Sequence, residues 1–499
     1  MFELLNNCDF WSYMKDSILQ QYIEYYKWDR KDYQRLFQSA RDKLSLYSGQ
    51  FYMPMFSLYY FVHNTPRAPK TIDMSRRYYL QEWLETTKER YYNSNRVGDA
   101  IIYDSSRNIS DMRKVFCKSI PILDPMHCIN NNYNLHGNQS HYLPSGYSFN
   151  TFQKINSMDN SAYIDTFCSY LLGQLTLNKQ SPSFPLFYGS LNGIGEYKYD
   201  ITEEYPELRM DKCFHQNIDK HFRLDYYGSD TEDSTDSDVE DVYRDDISIT
   251  SDQESHSSEE YPEDYIAVIP KMPIQLLFIE SLEATLEDYL NHEDFKEEVL
   301  ISCLFQVSFA LAMLQRRYQF THNDLHINNI MYNSTESKYL YYKINNKYYR
   351  VPTYGKIFKI IDFGRAIFTF KHKTYMNDVF SRHGEAGGQY SYPSQVTFSE
   401  SKKTENYSPN YSFDMCRLAM TILEELSPTV SETVVAFLRD MCRNDKGDNL
   451  CEMNDDFSLY IAIGQTANNA LPREILESQM FHEYRISKKL FPRKSFYTL

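Results

Sequence analysis

Two short motifs constrain the fold of this chain more than anything else in it. Residues 320–331 read F-T-H-N-D-L-H-I-N-N-I-M, and residues 359–366 read K-I-I-D-F-G-R-A. The first places Asp324 in a short turn flanked by His322 and His326, with Asn329 five residues on. Asn328–Tyr332 reads as a brief apolar strand after that turn. Ile357–Ile361 reads as a second strand, whose end delivers Asp362 into a Phe-Gly turn. A strand end is a rigid mount, so two such ends can hold one carboxamide and two carboxylates at a single cleft. That donor set suits metal-assisted phosphoryl transfer.

Order and spacing resemble the protein-kinase signature, H-x-D-x-x-x-x-N followed by D-F-G. The resemblance is to the divergent serine/threonine kinase-like proteins of large cytoplasmic DNA viruses. It implies an α+β, bilobal protein kinase-like fold with a helical N-terminal extension. The expected segments are an extension over 1–97, a small lobe over 98–280 and a large lobe over 281–499. By the same resemblance, Asp324 is the base that accepts the proton of a protein Ser or Thr hydroxyl. Asn329 and Asp362 would hold Mg²⁺, and ATP would be the phosphoryl donor.

The resemblance extends upstream. Val115–Lys118 (V-F-C-K) resembles the V-A-I-K of a kinase's third strand, so Lys118 would hold the α- and β-phosphates of ATP; the alternative is a surface lysine. Asp165, on a helix expected over Ala162–Leu175, is the candidate partner of Lys118. Kinases carry Glu there, one methylene longer. Pro185–Gly189 resembles the fourth strand and Gln275–Ile279 the fifth. Glu280, Ser281 and Leu282 would then form the hinge whose backbone pairs with adenine. A kinase places G-x-G-x-x-G between its first two strands, because bare backbone must approach the phosphates. Here only Gly98 stands at about the right distance before Lys118.

Downstream, Phe295–Arg316 reads as a long amphipathic helix leading into the catalytic turn. Tyr339–Val351 reads as an extra β-hairpin turning at Asn345-Asn346, since Asn tolerates positive φ. Residues 428–499 suffice for a shortened helical end to the large lobe. Asp414, near the start of an apolar helix, resembles the buried carboxylate that accepts hydrogen bonds from the catalytic turn's backbone. Asn323 stands where kinases switched by activation-loop phosphorylation carry an Arg. Asn cannot supply that charge, so this switch is expected to be absent. Two alternatives to a protein kinase stay open. D-L-H-x-x-N also occurs in aminoglycoside and choline kinase-like enzymes, which allows a small-molecule phosphotransferase. The reduced glycine loop allows a pseudokinase scaffold, against which the joint presence of Asp324, Asn329 and Asp362 argues.

The net charge of −16 is concentrated in one place. Ser229–Asp264 holds fifteen Asp and Glu against Arg244 alone, which leaves the rest of the chain close to neutral. That segment reads as a disordered insert between the fourth and fifth strands. There is no arginine-rich arm or aromatic RNA-binding signature, so nucleic acid is not an expected partner. The nine cysteines form no C-x-x-C pair, which argues against zinc and against a disulfide framework. No signal-like segment opens the chain, and Phe51–Val62 is too short an apolar run to span a bilayer. An intracellular, soluble protein is the expectation, in host cytoplasm or virion if viral. Within 1–97, helical spacing is expected over Lys15–Tyr47 and Met74–Tyr92, either packed on the lobe or docking a partner.

Overall fold

Helical spacing near the N-terminus becomes one helix, α1 (Arg30–Leu44), in the computed structural model, which describes residues 30–54, 74–89, 93–133, 142–145, 153–227, 264–381, 384–390, 409–428, 430–453 and 457–499. Leu36, Ser39, Ala40 and Leu44 recur at one face and are buried. Arg30, Lys31 and Asp32 supply its first turn, where Asp32 suits the positive end of the helix dipole. The part of the expected helix before Arg30 lies outside the described residues.

The second expected helix, over Met74–Tyr92, is a strand. After a short strand β1 (Tyr47–Gln50), β2 (Tyr78–Glu89) pairs antiparallel with β3 (Arg96–Asp104). The misreading has a physical origin. The register shifts three times along β2, between Leu80 and Glu82, Trp83 and Glu85, and Thr86 and Lys88. Each bulge adds a residue and breaks the alternation of a strand. Buried Tyr79, Leu80 and Trp83 therefore fall at a spacing that mimics a helix.

The small-lobe sheet continues with β4 (Ile109–Pro121), β5 (Phe187–Asp200), β6 (Arg223–Tyr227) and β7 (Asp264–Glu280). Its order is β1-β5-β7-β4-β3-β2, with β6 also on β7, and every pairing is antiparallel. Helix α2 (Ser161–Leu177) lies against this sheet. Asn160 starts it, accepting the Ala162 N–H and donating 2.7 Å to the Ile122 carbonyl. Tyr227 pairs with Asp264, so the acidic insert leaves and re-enters the sheet at neighbouring positions. The insert itself, apart from Asp264, lies outside the described residues.

Gly98 is buried within the sheet rather than in the turn that precedes β3. It sits within β3, where an added Cβ would stand 2.2 Å from the Glu85 carbonyl oxygen and 2.3 Å from the Trp83 ring. The indole of the bulged neighbour strand fills the space a side chain would need. Gly98→Ala is expected to destabilise the protein by about 3 kcal/mol or more, the upper range for overpacking. Urea denaturation measures this. Nucleotide affinity of the folded variant should stay unchanged, which separates packing from phosphate binding.

The large lobe opens with β8 (Ala284–Thr285) and α3 (Leu286–Leu290), then α4 (Glu297–Tyr318). The expected amphipathic helix α4 is instead buried on nearly every face. Its polar members are paired: Ser302 Oγ donates to the Pro352 carbonyl, Gln306 Nε2 to Ser302 Oγ, and the Phe358 N–H to Gln306 Oε1. By length and composition α4 could cross a membrane, yet 83% of its apolar window is packed inside the lobe. Strands β9 (Ile330–Ser334), β10 (Tyr339–Ile344), β11 (Lys347–Pro352) and β12 (Lys356–Ile360) follow. β9 lies between β8 and β12. The β10–β11 hairpin turns through Asn345 at φ +53°. A small hairpin, β13 (Phe368–Phe370) with β14 (Lys373–Tyr375), comes next, then α5 (Phe413–Glu425), α6 (Glu432–Met441) and α7 (Phe457–Thr466). The C-terminal stretch is only partly helical. β15 (Arg485–Ile486) and β16 (Tyr497–Thr498) extend the β10–β11 hairpin to four strands. The eight cysteines among the described residues are free thiols.

Candidate active site

The two motifs are locked to each other before any ligand is considered. β9 and β12 pair in register, Ile330 with Ile360, so the residues before one strand and after the other share one end of the sheet. His322 Nε2 lies 2.8 Å from the Ile361 carbonyl, which only accepts, so that nitrogen carries the proton. Asp414 is fully buried at the start of α5. Its carboxylate accepts the N–H of His322 at 3.0 and 2.9 Å and that of Asn323 at 2.9 Å. Burial raises its pKa, and the two N–H donors pull against that rise. Asn323 takes the left-handed conformation, φ +64°, and Asp362 does likewise at +62°. Asn and Asp reach this region more readily than other side chains.

A cavity of about 730 Å³ separates the lobes. Lys118, Asp165, the hinge Glu280–Leu282, Asn329 and Asp362 all line it. Lys118 Nζ stands 2.6 Å from Asp165 Oδ2 and 2.8 Å from Asp362 Oδ1, joining β4, α2 and the Phe-Gly turn. The shorter Asp side chain therefore reaches the lysine. Asp165 also accepts the Phe363 N–H at 3.2 Å, so α2 holds the turn after Asp362. Burial lowers the Lys118 pKa, but the two carboxylates outweigh it and the ammonium is held above its ordinary range. The carboxylates differ. Burial raises Asp165 against the pull of Lys118, while Asp362 is lowered to about 2 because Lys118 outweighs its burial. Asp362 keeps 43% of its side chain exposed, on the open side of the pair.

Asn329 is oriented by its neighbours. Its Nδ2 donates to the Asp324 carbonyl at 2.8 Å and lies 3.0 Å from His326 Nε2. Asn329 Nδ2 can only donate, so His326 Nε2 accepts there, and burial holds that imidazole's pKa below its ordinary value. With both amide hydrogens engaged, the Asn329 carbonyl oxygen has no partner among the described residues. One carboxamide oxygen and one carboxylate on a cavity wall fit Mg²⁺, which takes few protein ligands and completes its shell with phosphates and water. No cluster of three or more His, Cys, Asp or Glu side chains among the described residues would hold a metal unaided.

The hinge residues differ in what they offer. The Glu280 carboxylate accepts Lys359 Nζ at 2.9 Å, the Leu186 N–H at 3.0 Å and Asn333 Nδ2 at 3.0 Å. Its own N–H donates to the Leu186 carbonyl. Glu280 thus ties the lobes together at the back of the cavity, and Ser281 and Leu282 form the wall beside it. Where a glycine loop would lie, Asn93 and Asn95 line the cavity instead. Asn95 Oδ1 accepts the Ser119 N–H, and Ser119 Oγ donates to the Ser94 carbonyl, which clips this loop to β4 beside Lys118. Asp324 lies outside the cavity wall, with Tyr460 Oη of α7 donating to its Oδ1 at 3.3 Å. Asn95, Tyr460 and Lys359 were not legible as site residues. Asn95 had a signal, a polar N-S-N run before β3; Tyr460, 136 residues from Asp324, had none.

No family model matches the chain. It is 36% identical over 88 residues, 16% of its length, to a probable serine/threonine-protein kinase of Dictyostelium discoideum. It is 31% identical over 121 residues, 24% of its length, to the serine/threonine-protein kinase haspin homolog of Drosophila melanogaster. The chain spans 7% and 21% of the lengths of these relatives. Among solved structures it is similar to the ROP18 kinase domain in complex with AMP-PNP and sucrose, covering 91% of this chain and 90% of that one at 11% identity, with a TM-score of 0.29. The chain is similar to protein kinases over these short stretches of sequence, and its lobes line a cavity bearing Lys118, Asp165, Asn329 and Asp362.

Proposed function

We propose that this protein is an ATP-dependent serine/threonine protein kinase, the viral kinase-like proteins being the group its motifs resemble. The observation that carries the reading is the Lys118 ammonium set between Asp165 and Asp362, on the cavity that Asn329 also lines. Bound MgATP would supply the phosphoryl group and a divalent charge beside it. Ser281 and Leu282 seat the base against the hinge. Lys118 meets the α- and β-phosphates while Asp165 keeps it in place. The Asn329 carbonyl oxygen and the Asp362 carboxylate would hold the metal. Asp324 takes the acceptor hydroxyl's proton; Tyr460 occupies Oδ1, which leaves Oδ2 for that hydroxyl. Proton transfer by a positioned side chain contributes about 10²–10⁴-fold.

The test is γ-phosphate transfer to generic protein substrates with Mg²⁺, for wild type and Asp324→Asn. Wild type is expected to phosphorylate Ser or Thr, and Asp324→Asn to be at least about a hundredfold slower. Transfer to small-molecule hydroxyls with none to protein would replace the reading by a small-molecule phosphotransferase. Absence of any turnover in wild type would replace it by a scaffold.

A further inference from the structure

The chain that follows the Asp-Phe-Gly turn is tied down at several points. Asn377 Nδ2 donates 2.9 Å to the Gly364 carbonyl, and Arg365 pairs with Glu385 at 2.8 Å. Lys154 of the small lobe pairs with Asp378 at 2.6 Å. At the far end of the described part stands Tyr390, in a small apolar cluster with Ile367, Met376, Phe380 and Ala386. Gly384 permits this packing, because an added Cβ would stand 2.3 Å from the Val379 carbonyl oxygen.

Tyr390 Oη donates 2.8 Å to Asn323 Oδ1. Asn323 is fully buried, and each of its polar atoms has a task. Its Nδ2 donates to Thr321 Oγ1 at 3.1 Å and to the Arg365 carbonyl at 3.0 Å, and its N–H goes to Asp414. Asn323 directly precedes Asp324 and holds a left-handed backbone. Such a conformation persists only where the surroundings over-determine it. Tyr390 supplies the one contact in this set that comes from residues 384–390. Burial and the charge of Asp414 raise the phenol's pKa, so the hydroxyl remains a donor.

We propose that Tyr390 is a positioning residue for catalysis. Through one uncharged hydrogen bond to Asn323, it couples the order of the segment after Asp-Phe-Gly to the backbone that aims Asp324. The coupling is reciprocal: loss of order in residues 384–390 frees the catalytic turn, and displacement of the turn frees residues 384–390. This inference rests on the kinase reading, and its structural half does not need activity.

Tyr390→Phe keeps the ring and removes only the hydroxyl. An unsatisfied buried acceptor costs about 1–3 kcal/mol, and each ~1.4 kcal/mol is a factor of ten. With protein substrate, kcat is expected to fall about tenfold while KM for ATP stays unchanged, since Lys118 and the hinge are untouched. Hydrogen exchange should accelerate by a similar factor at the amides of His322, Asn323 and residues 384–390, with β4 unaffected. Unchanged exchange at His322 and Asn323, or an undiminished kcat, overturns the proposal. If wild type transfers no phosphate, the kinase reading fails, and the exchange measurement alone decides whether Tyr390 holds the turn.

Discussion

Lys118→Met is expected to weaken MgATP binding at least tenfold and to destabilise the fold at the same time. The ammonium is the junction of three elements, with 20% of its side chain exposed and Asp165 beneath it at 2%. Removing one partner of a buried ion pair costs about 3–5 kcal/mol, because the other charge is left uncompensated. A desolvated charge contact to a ligand is worth about 2–5 kcal/mol when truncated, and ~1.4 kcal/mol is a factor of ten in affinity. Burial already raises the Asp165 pKa against the pull of Lys118, so loss of the ammonium in the variant raises it further. Titration calorimetry with Mg²⁺ present and urea denaturation measure the two effects. The pair Lys118→Met with Asp165→Leu separates them: stability should return in part, since an apolar pair replaces the buried ion pair while the Phe363 N–H loses its acceptor, and affinity should not return. Equal ATP binding by wild type and Lys118→Met would make Lys118 a structural residue only.

Asp362→Asn is expected to lower phosphoryl transfer by about a hundredfold to a thousandfold, the scale for removing one charge-stabilising group from a catalytic site. The fold should survive. Asn tolerates the left-handed conformation at φ +62°, and the Asp362 side chain is among the more exposed in the cleft. Lys118 holds this carboxylate's pKa at about 2, so it is charged at neutral and mildly acidic pH, ready for a divalent cation. Turnover lowered on that scale together with a cooperative melting curve shifted only slightly downward is the expected pair of results. Full activity in the variant would remove Asp362 from the metal site.

The part of the site that was legible in sequence is the part built within a few residues. Asp324 and Asn329 are joined through a side chain bonding a carbonyl five residues back. Asp362 stands two residues after a five-residue strand whose partner strand follows Asn329 directly. Asn345 turns a two-residue hairpin because its side chain tolerates positive φ. In each case the local spacing is itself the geometry. Lys118 and Asp165, 47 residues apart, could be matched only through resemblance, because nothing local links a strand to the helix that follows it.

Tertiary packing decided the rest. β2 reads as a helix because three bulges displace its buried residues from alternation, and only its ladder with β3 shows otherwise. Gly98 resembles a phosphate-loop glycine until the Trp83 ring is found where its side chain would be. Helix α4 reads as amphipathic, but a hairpin and the chain's own C-terminus cover the face expected to meet water. Tyr390 and Tyr460 reach the catalytic turn across 67 and 136 residues of chain. A hydroxyl that distant leaves no periodicity and no spacing to read. The sequence by itself determined which donors meet at the two strand ends, since strand pairing and short turns are local. Which side chains hold those donors in place was decided by folding, because burial brings together groups that the order of residues keeps apart.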